Sequence, residues 1–511
     1  MIKKGSYFKS LFLAFVMFFI SIHDNYGQGQ DHRFLLGYQS ILDANTTSIR
    51  AQLLSNAASS TVLPDSFIMP FRAAQANISD ANGNFLMSSN GIFIMNAAGD
   101  TMLNGSGLNP NPGTASWASS GIPFPHSNLI LPFPGDSNGY VLLHQTFSIT
   151  GGFPCDRLFY TRIDMTLDGG LGGVTSQKNW LFHYGDVDIG LAACRHGNGR
   201  DWWIIAQKAF SDTLLIFLLH PQGVNFHSYQ SFGFPATFEN AGTPKFSANG
   251  DKFAYVTVKP LGGSVYYHDV RVFNFDRCNG ALSNAQLFII DNTVGLGNEF
   301  SPSGRFLYTS SSQNIYQFDL DAANVQASKI GVALYDGFYS PFPPFATDFF
   351  CMNLRADGKI YVTTGNGTLK MHRIEFPDSL GLACDVQQHS ISLPCYAFRA
   401  DVNHPNYNLG RWSGSPCDTL AWVGNEEIEN DFKLRLFPNP SRGEFKLIYL
   451  LPQGESGILE IYNVEGKRVY NQALPPWSTL QELSLNLPAG LYTCRIQSKQ
   501  QQQSIRWMVV D

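Results

Sequence analysis

Between residues 80 and 362 one short pattern of polar and apolar positions returns six times. A small or polar residue precedes a turn pair ending in Gly, and the chain then runs into an apolar or aromatic stretch. The copies are Ala81-Asn82-Gly83-Asn84-Phe85-Leu86, Ser137-Asn138-Gly139-Tyr140-Val141-Leu142, Asn198-Gly199-Arg200-Asp201-Trp202-Trp203, Asn249-Gly250-Asp251-Lys252-Phe253-Ala254, Ser303-Gly304-Arg305-Phe306-Leu307-Tyr308 and Asp357-Gly358-Lys359-Ile360-Tyr361-Val362. Asn-Gly and Asp-Gly accept positive φ in a tight hairpin. The residues that follow alternate as a half-buried strand should. Gly83, Gly139, Gly199, Gly250, Gly304 and Gly358 are separated by 56, 60, 51, 54 and 54 residues. Further strands follow each turn, such as Val270 to Asp276 and Asn314 to Asp319. A multi-stranded unit of this length matches a β-propeller blade, whose repeat runs roughly 40–50 residues. A solenoid needs shorter repeats, and a string of sandwiches needs about 100 residues each. Six blades are counted this way. Residues 31–60, with Phe34 to Tyr38 as a strand, and residues 396–412 remain over. Pairing the two chain ends in a composite blade would protect an exposed edge. Seven blades are therefore the preferred expectation and six the alternative.

The period changes near the C-terminus. Residues 424–431 are acidic and polar and read as a linker. From 432 to 511, seven short strands are predicted at 433–437, 444–450, 457–462, 467–471, 480–485, 491–497 and 504–510. Leu483, Leu485 and Leu487 share one face, as do Tyr492, Cys494 and Ile496. Pro438 and Pro440 cannot donate to a ladder and suit a strand exit. This is a small Ig-like β-sandwich. At the other end, Lys3, Lys4 and Lys9 precede an apolar run from Leu11 to Ile20. That run is shorter than the roughly 20 residues a bilayer demands. Residues 1–27 are thus expected to be a signal peptide, cut after Gly27 and handled by the Sec translocon and signal peptidase. The propeller is expected over 28–423.

Composition sharpens this all-β picture. Charged residues make up only 14% of the chain and aromatics another 14%, with 47 Gly and 27 Pro to supply turns. A formal net charge of -6 argues against a nucleic-acid partner. None of the eight cysteines forms a CxxC pair. In an oxidising compartment a disulfide is expected among Cys384, Cys395 and Cys417, with buried thiols as the alternative.

Candidate chemistry is sparse. No G-x-S-x-G elbow, H-E-x-x-H, P-loop or EF-hand loop occurs. His196 beside a turn lacks a ligand partner at useful spacing. Asp164 and Asp168 flank a Gly-rich loop and could bind Ca²⁺, although turn carboxylates more often cap backbone N–H groups. Of Trp202 and Trp203, at most one can face a sugar, because neighbours on a strand point to opposite sides. No catalytic residue, metal ligand or cofactor is assigned.

Three phrases of the tail carry a family likeness: Phe437-Pro438-Asn439-Pro440-Ser441-Arg442-Gly443, Ile461-Tyr462-Asn463-Val464-Glu465-Gly466-Lys467 and Leu487-Pro488-Ala489-Gly490-Leu491-Tyr492. In that order they resemble the type A C-terminal sorting domain of the type IX secretion system of Bacteroidota. The resemblance implies sorting residues Pro438, Asn439, Pro440, Gly443, Tyr462, Asn463, Gly466, Lys467, Pro488, Gly490, Tyr492 and Arg506, the last standing where the family usually carries Lys. It implies as partners the type IX translocon and a sortase that removes the tail in or near 424–432. In the body, Lys245 to Gly250 and Glu299 to Gly304 resemble WD40-like blades of TolB-type propellers. Ile78 to Asn84, Tyr160 to Met165 with Gly169 to Val174, and Leu354 to Tyr361 resemble a recurrent Bacteroidota surface-protein family, with Met87-Ser88-Ser89 a departure. Four Asp-Ser/Thr-apolar triplets, at 100, 212, 378 and 418, resemble O-glycosylation sites of that phylum. The expected function is a secreted or surface module that binds a glycan or protein ligand. The alternatives are an exported propeller enzyme acting on polysaccharide or lactone, and a structural part of the cell surface or gliding machinery.

Overall fold

The computed structural model describes residues 29–38, 46–146, 155–234, 242–262, 265–290, 295–341, 344–418, 434–449, 451, 455–475, 480–499 and 502–510. The expected signal peptide and linker lie outside them. The chain divides into two compact units, Met1–Leu420 and Ala421–Asp511.

The first unit is a ring of seven blades among the described residues, with blades 3 and 4 joined into one eight-stranded sheet by a shared strand. Blade 1 comprises Arg33–Leu36, Arg50–Ser55 and Ser60–Asp65; blade 2 comprises Ala74–Ser79, Phe85–Ser89 and Ile94–Asn96. Blade 3 holds Asn128–Pro132, Gly139–Gln145, Cys155–Asp164 and the first half of Trp180–Arg195. The second half of that long strand starts blade 4, with Trp202–Lys208, Leu214–His220 and Gly223–Gln230. Blade 5 is Thr243–Phe246, Lys252–Gly262, Val265–Phe275 and Leu282–Ile290. Blade 6 is Asn298–Phe300, Phe306–Ser310, Asn314–Asp319 and Ile330–Leu334. Blade 7 is Phe349–Leu354, Ile360–Thr364, Thr368–Ile374 and Val386–Ala397.

The core lies between blades, not within one layer. In blade 6, Phe306 and Tyr308 pack toward Met352, Ile360 and Val362 of blade 7. Leu307, on the opposite face, packs toward Val256 and Val270 of blade 5. Both faces of the strand are buried, so its apolar residues run on continuously. This corrects the expectation of half-buried strands. Each fully buried Phe or Leu contributes about 1.5–3 kcal/mol.

The six recurrent glycines mark the hairpin between the first and second strands of blades 2 to 7, with Gly139 already the first residue of its second strand. Each donates its N–H to the carbonyl three residues earlier: Gly83 to Asp80, Gly139 to Asp136, Gly199 to His196, Gly250 to Ser247, Gly304 to Ser301 and Gly358 to Arg355. Five have φ between +68° and +82°. Gly139 is the exception, and positive φ in its loop falls on Gly135. A Cβ at Gly139 would meet the Arg162 guanidinium and the Asp136 carboxylate, each at 2.5 Å, and would have to displace these side-chain ends.

Ring closure also departs from expectation in its partner. The C-terminal strand Asp401–Val402 pairs in parallel with Ala74–Ser79 of blade 2, Asp401 opposite Ala74. Val402 nevertheless packs with Phe34, Leu36 and Ala51 of blade 1 and with Tyr361 and Met371 of blade 7. The strand therefore takes blade 1's inner position while its hydrogen bonds run to the next blade.

The second unit is a two-sheet sandwich. Arg435–Phe437, Glu444–Ile448 and Leu480–Ser484 form one sheet; Arg468–Leu474, Gly457–Tyr462, Gly490–Gln497 and Gln502–Val509 form the other. Phe445, Leu447, Leu459, Ile461, Tyr492, Cys494, Ile496 and Trp507 fill the space between.

Candidate functional site

After Val402 the chain does not leave the ring. Residues 403–412 form a strap bonded to one blade after another. The Asn403 amide donates to Asn128 O of blade 3 (3.2 Å) and Leu191 O of blade 4 (2.8 Å). His404 Nε2 lies 3.0 Å from Asn77 O of blade 2, and its Nδ1 meets the Arg355 guanidinium in the first hairpin of blade 7 at 3.2 Å. The Asn406 amide donates to Ala248 O at the blade 5 turn (2.7 Å), and Tyr407 Oη donates to Ile130 O of blade 3 (2.9 Å). Trp412 N donates to Gly197 O (2.7 Å). A disulfide between Cys278 and Cys417 then ties the strap's end to blade 5.

That disulfide corrects the expected pairing. Cys417 bonds Cys278, which lies 139 residues upstream. Cys384 and Cys395 are buried thiols in different interfaces: Cys384 packs between blades 6 and 7, Cys395 between blades 7 and 1. Proximity in sequence misleads here, because the strap carries Cys417 away from blade 7 across the ring.

Beneath the strap lies a buried polar cluster. Asp401 accepts from the Asn353 amide of blade 7 (2.7 Å) and lies 2.8 Å from His126 Nε2, just ahead of blade 3. Lys245 of blade 5 places Nζ 3.3 Å from Glu299 of blade 6 and 3.8 Å from Asp401. Burial alone would lift the Asp401 carboxyl, but Lys245, His126 and Asn353 hold it below the ordinary range. Burial prevails at Glu299 and raises it, against the pull of Lys245. Lys245 is penalised by burial yet raised overall by its two carboxylates. Glu299 and Asp401 thus share one ammonium. Nothing in the repeat pattern marks Asp401, because it lies past the last blade.

Beside the strap is a recess of about 650 Å³, which Lys245, Glu299 and Asn353 of the polar cluster also line. Its walls include Asn249, Pro302 and Gly358 from three hairpin turns, Arg277, and Asn408 and Arg411 from the strap.

The residues singled out earlier mostly serve the fold. Trp202 and Trp203 are both buried. Trp202 lies edge-on to Tyr407 of the strap, and Trp203 donates its indole N–H to Arg277 O (2.7 Å). Neither faces a ligand, since blade 4 is covered on both sides. His196 stacks on Trp203, and its Nδ1 accepts from Asn198 N (2.9 Å). Asp164 accepts from the N–H and hydroxyl of Thr166 (2.8 and 2.7 Å). Among the described residues no group of three His, Cys, Asp or Glu side chains is placed to hold a metal.

In the sandwich, most of the twelve signature residues have visible structural work. The Asn439 side chain accepts from Met508 N (2.9 Å) and donates to Arg506 O (2.8 Å), covering the edge of the last strand. Ser441 continues this seal, and its hydroxyl accepts from the Trp507 indole (2.9 Å). Asn463 Oδ1 accepts from Glu465 N and Lys467 N, closing a turn in which Gly466 has φ +75°. Tyr492 Oη donates to Pro488 O (2.8 Å). Tyr462 joins a charged network on the outer sheet face, where Arg506 is exposed; Lys467 is exposed in the adjoining turn.

Residues 435–511 match the family described as "Secretion system C-terminal sorting domain". The protein is accordingly exported through type IX secretion to the cell surface or beyond, and the sandwich is the part that engages the secretion system. No curated protein matches the chain. Among solved structures, it is similar to a putative 6-phosphogluconolactonase of Bacteroides uniformis, at 15% identity and a TM-score of 0.40, over 72% of this chain and 98% of that one. It is also similar to a periplasmic gluconolactonase of Pseudomonas aeruginosa, at 14% identity and a TM-score of 0.33, over 76% of this chain and 94% of that one. Likenesses of this size carry no functional argument, and the propeller assignment rests on the sheet topology.

Proposed function

We propose that the propeller is a binding module, delivered by its tail to the outside of the cell, and that it takes a glycan or protein ligand at the recess walled by the strap. The observation that carries this reading is the strap itself. It crosses the ring from blade to blade and, with three hairpin turns, walls a recess of about 650 Å³. The Arg277 guanidinium on its wall is taken up by Arg195 O and Gly410 O, and side-chain donors of Asn249, Asn408 and Arg411 border it. Such donors suit hydroxyl and carboxylate oxygens.

The test is retention of polysaccharides, cell-surface extract or partner proteins by the full chain and by Asn249→Trp. Asn249 is exposed on the rim, so the variant narrows the recess without entering the core. At least ten-fold weaker retention by the variant, at unchanged melting temperature, is the expected result. Failure of the unaltered chain to retain any of these materials counts against the reading.

A further inference from the structure

We propose that the outer face of the four-stranded sheet in the C-terminal sandwich is the surface held by the export apparatus, and that it fits an acidic, partly apolar protein surface. The inference rests on the sorting match and adds to it which face is read. Strand register puts Arg506, Thr493, Tyr462 and Arg468 in one row across the sheet. Ser504, Arg495, Glu460 and Asn471 form the next row. Directly paired residues share a face. The alternate residues Trp507, Cys494 and Ile461 lie in the core, so these rows face outward.

The charges on this face are ordered. Glu460 accepts from Arg468 (2.6 Å), from Arg495 (2.5 Å) and from the Tyr462 hydroxyl (2.8 Å). The Arg495 guanidinium lies 4.6 Å from the centre of the Tyr462 ring. Hydrogen bonds, first from Arg495 and then from Arg468, bring the Glu460 carboxyl down to about 2. One carboxylate therefore positions two arginines, while Arg506 on the same face and Lys467 in the turn at its end add positive charge that it does not offset. Exposed Ile458, Leu491 and Met508 sit on the same sheet. A flat face of fixed guanidinium groups beside apolar side chains matches a protein surface better than a diffuse charged layer.

The signature residues point the same way by elimination. Asn439, Asn463, Gly466 and Tyr492 are explained by an edge seal, two turn contacts and a corner. Among the described residues, no contact of the Lys467 or Arg506 side chains holds a strand or turn together. A side chain belonging to a recognition signature, yet idle in the fold, is available to a partner.

The experiment is the double variant Lys467→Glu/Arg506→Glu in the full chain, with Arg442→Glu, in the loop after the Pro-Asn-Pro turn, as a charge control. Extracellular protein should fall at least ten-fold in the double variant, with folded chain of unchanged melting temperature accumulating in the periplasm. Arg442→Glu should export normally. Normal export of the double variant overturns the proposal, as does equal loss in Arg442→Glu, which would make net charge the cause. Deletion of 435–511 separates the two levels. If deletion leaves export intact, the sorting role fails; if deletion blocks export but the double variant does not, only the docking face fails. Binding to phosphatidylglycerol vesicles that depends on Lys467 and Arg506, with export unaffected, assigns the face to a lipid surface and likewise overturns it.

Discussion

Asp401 joins three parts of the ring: one buried carboxylate meets groups from blade 7, blade 5 and the segment before blade 3. Asp401→Asn keeps the shape and removes the charge. Lys245 then faces Glu299 alone, and a buried cation loses part of its compensation. Breaking a buried pair from one side costs about 3–5 kcal/mol, so denaturant unfolding should register a loss of that order. A loss within experimental error would show the charge to be incidental. Buried histidines set the pH response. Burial lowers His144 to about 3, where its ring bonds Asn109 and Thr161, and burial first, then the nearby His389 charge, lowers His372 to about 4. The unfolded chain takes these protons near pH 6.5, while the folded chain resists until pH 3–4. Between those limits the unfolded state binds more protons, so stability falls as pH is lowered through 6.5. The slope is about 1.4 kcal/mol per pH unit for each histidine. Equilibrium unfolding at pH 7.5 and 5.5 checks the sign, and equal stability at both would contradict it.

At the scale of elements, the strap depends on one covalent tie. The disulfide closes a loop of 139 residues, and loops of that size are stabilised by roughly 2–5 kcal/mol on cross-linking. Cys417→Ser should lose about that much, and cleavage by protease within 403–418 should become faster. The unaltered chain in reductant should behave like the variant; identical proteolysis in both redox states would count against the tie. Elements differ sharply in how readable they were from sequence. The blade hairpins were legible because each needs a residue tolerant of positive φ at the same point of a repeating unit. The sandwich strands were legible because their core positions alternate strictly. The strap had no period, since it belongs to no sheet and is held by side-chain amides reaching backbone carbonyls. The Cys278–Cys417 bond was hidden for the same reason, and Asp401 looked like any polar residue in a loop. Gly139 fitted the spacing but not the conformation, because positive φ in its loop falls on Gly135.

For the whole molecule, the decisive feature is where the ring closes. Six blades have a first strand joined to the second by a glycine turn; blade 1 has none, because its inner position is filled from residues 401–402, more than 300 positions away. The missing seventh repeat is therefore a consequence of the closure. Every blade uses its neighbours as core, so an open ring leaves the faces of blades 1 and 7 short of partners. A chain ending at residue 400 lacks the closing strand, the strap and Cys417 together. It should unfold at lower temperature, in a broader transition, and bind hydrophobic dye before melting. A chain ending at residue 434 keeps all three and loses only the sandwich, whose core is made of its own residues. Its propeller transition should match that of the full chain. Calorimetry on the two truncations distinguishes the cases, and a cooperative, unshifted transition in the 400-residue chain would show that blades 1 and 7 close without the C-terminal strand. The same comparison bears on export. If the ring completes only when residues 401–418 are in place, the propeller finishes folding with the segment that immediately precedes the sorting unit, and the tail becomes available on a chain whose last structural step is already taken.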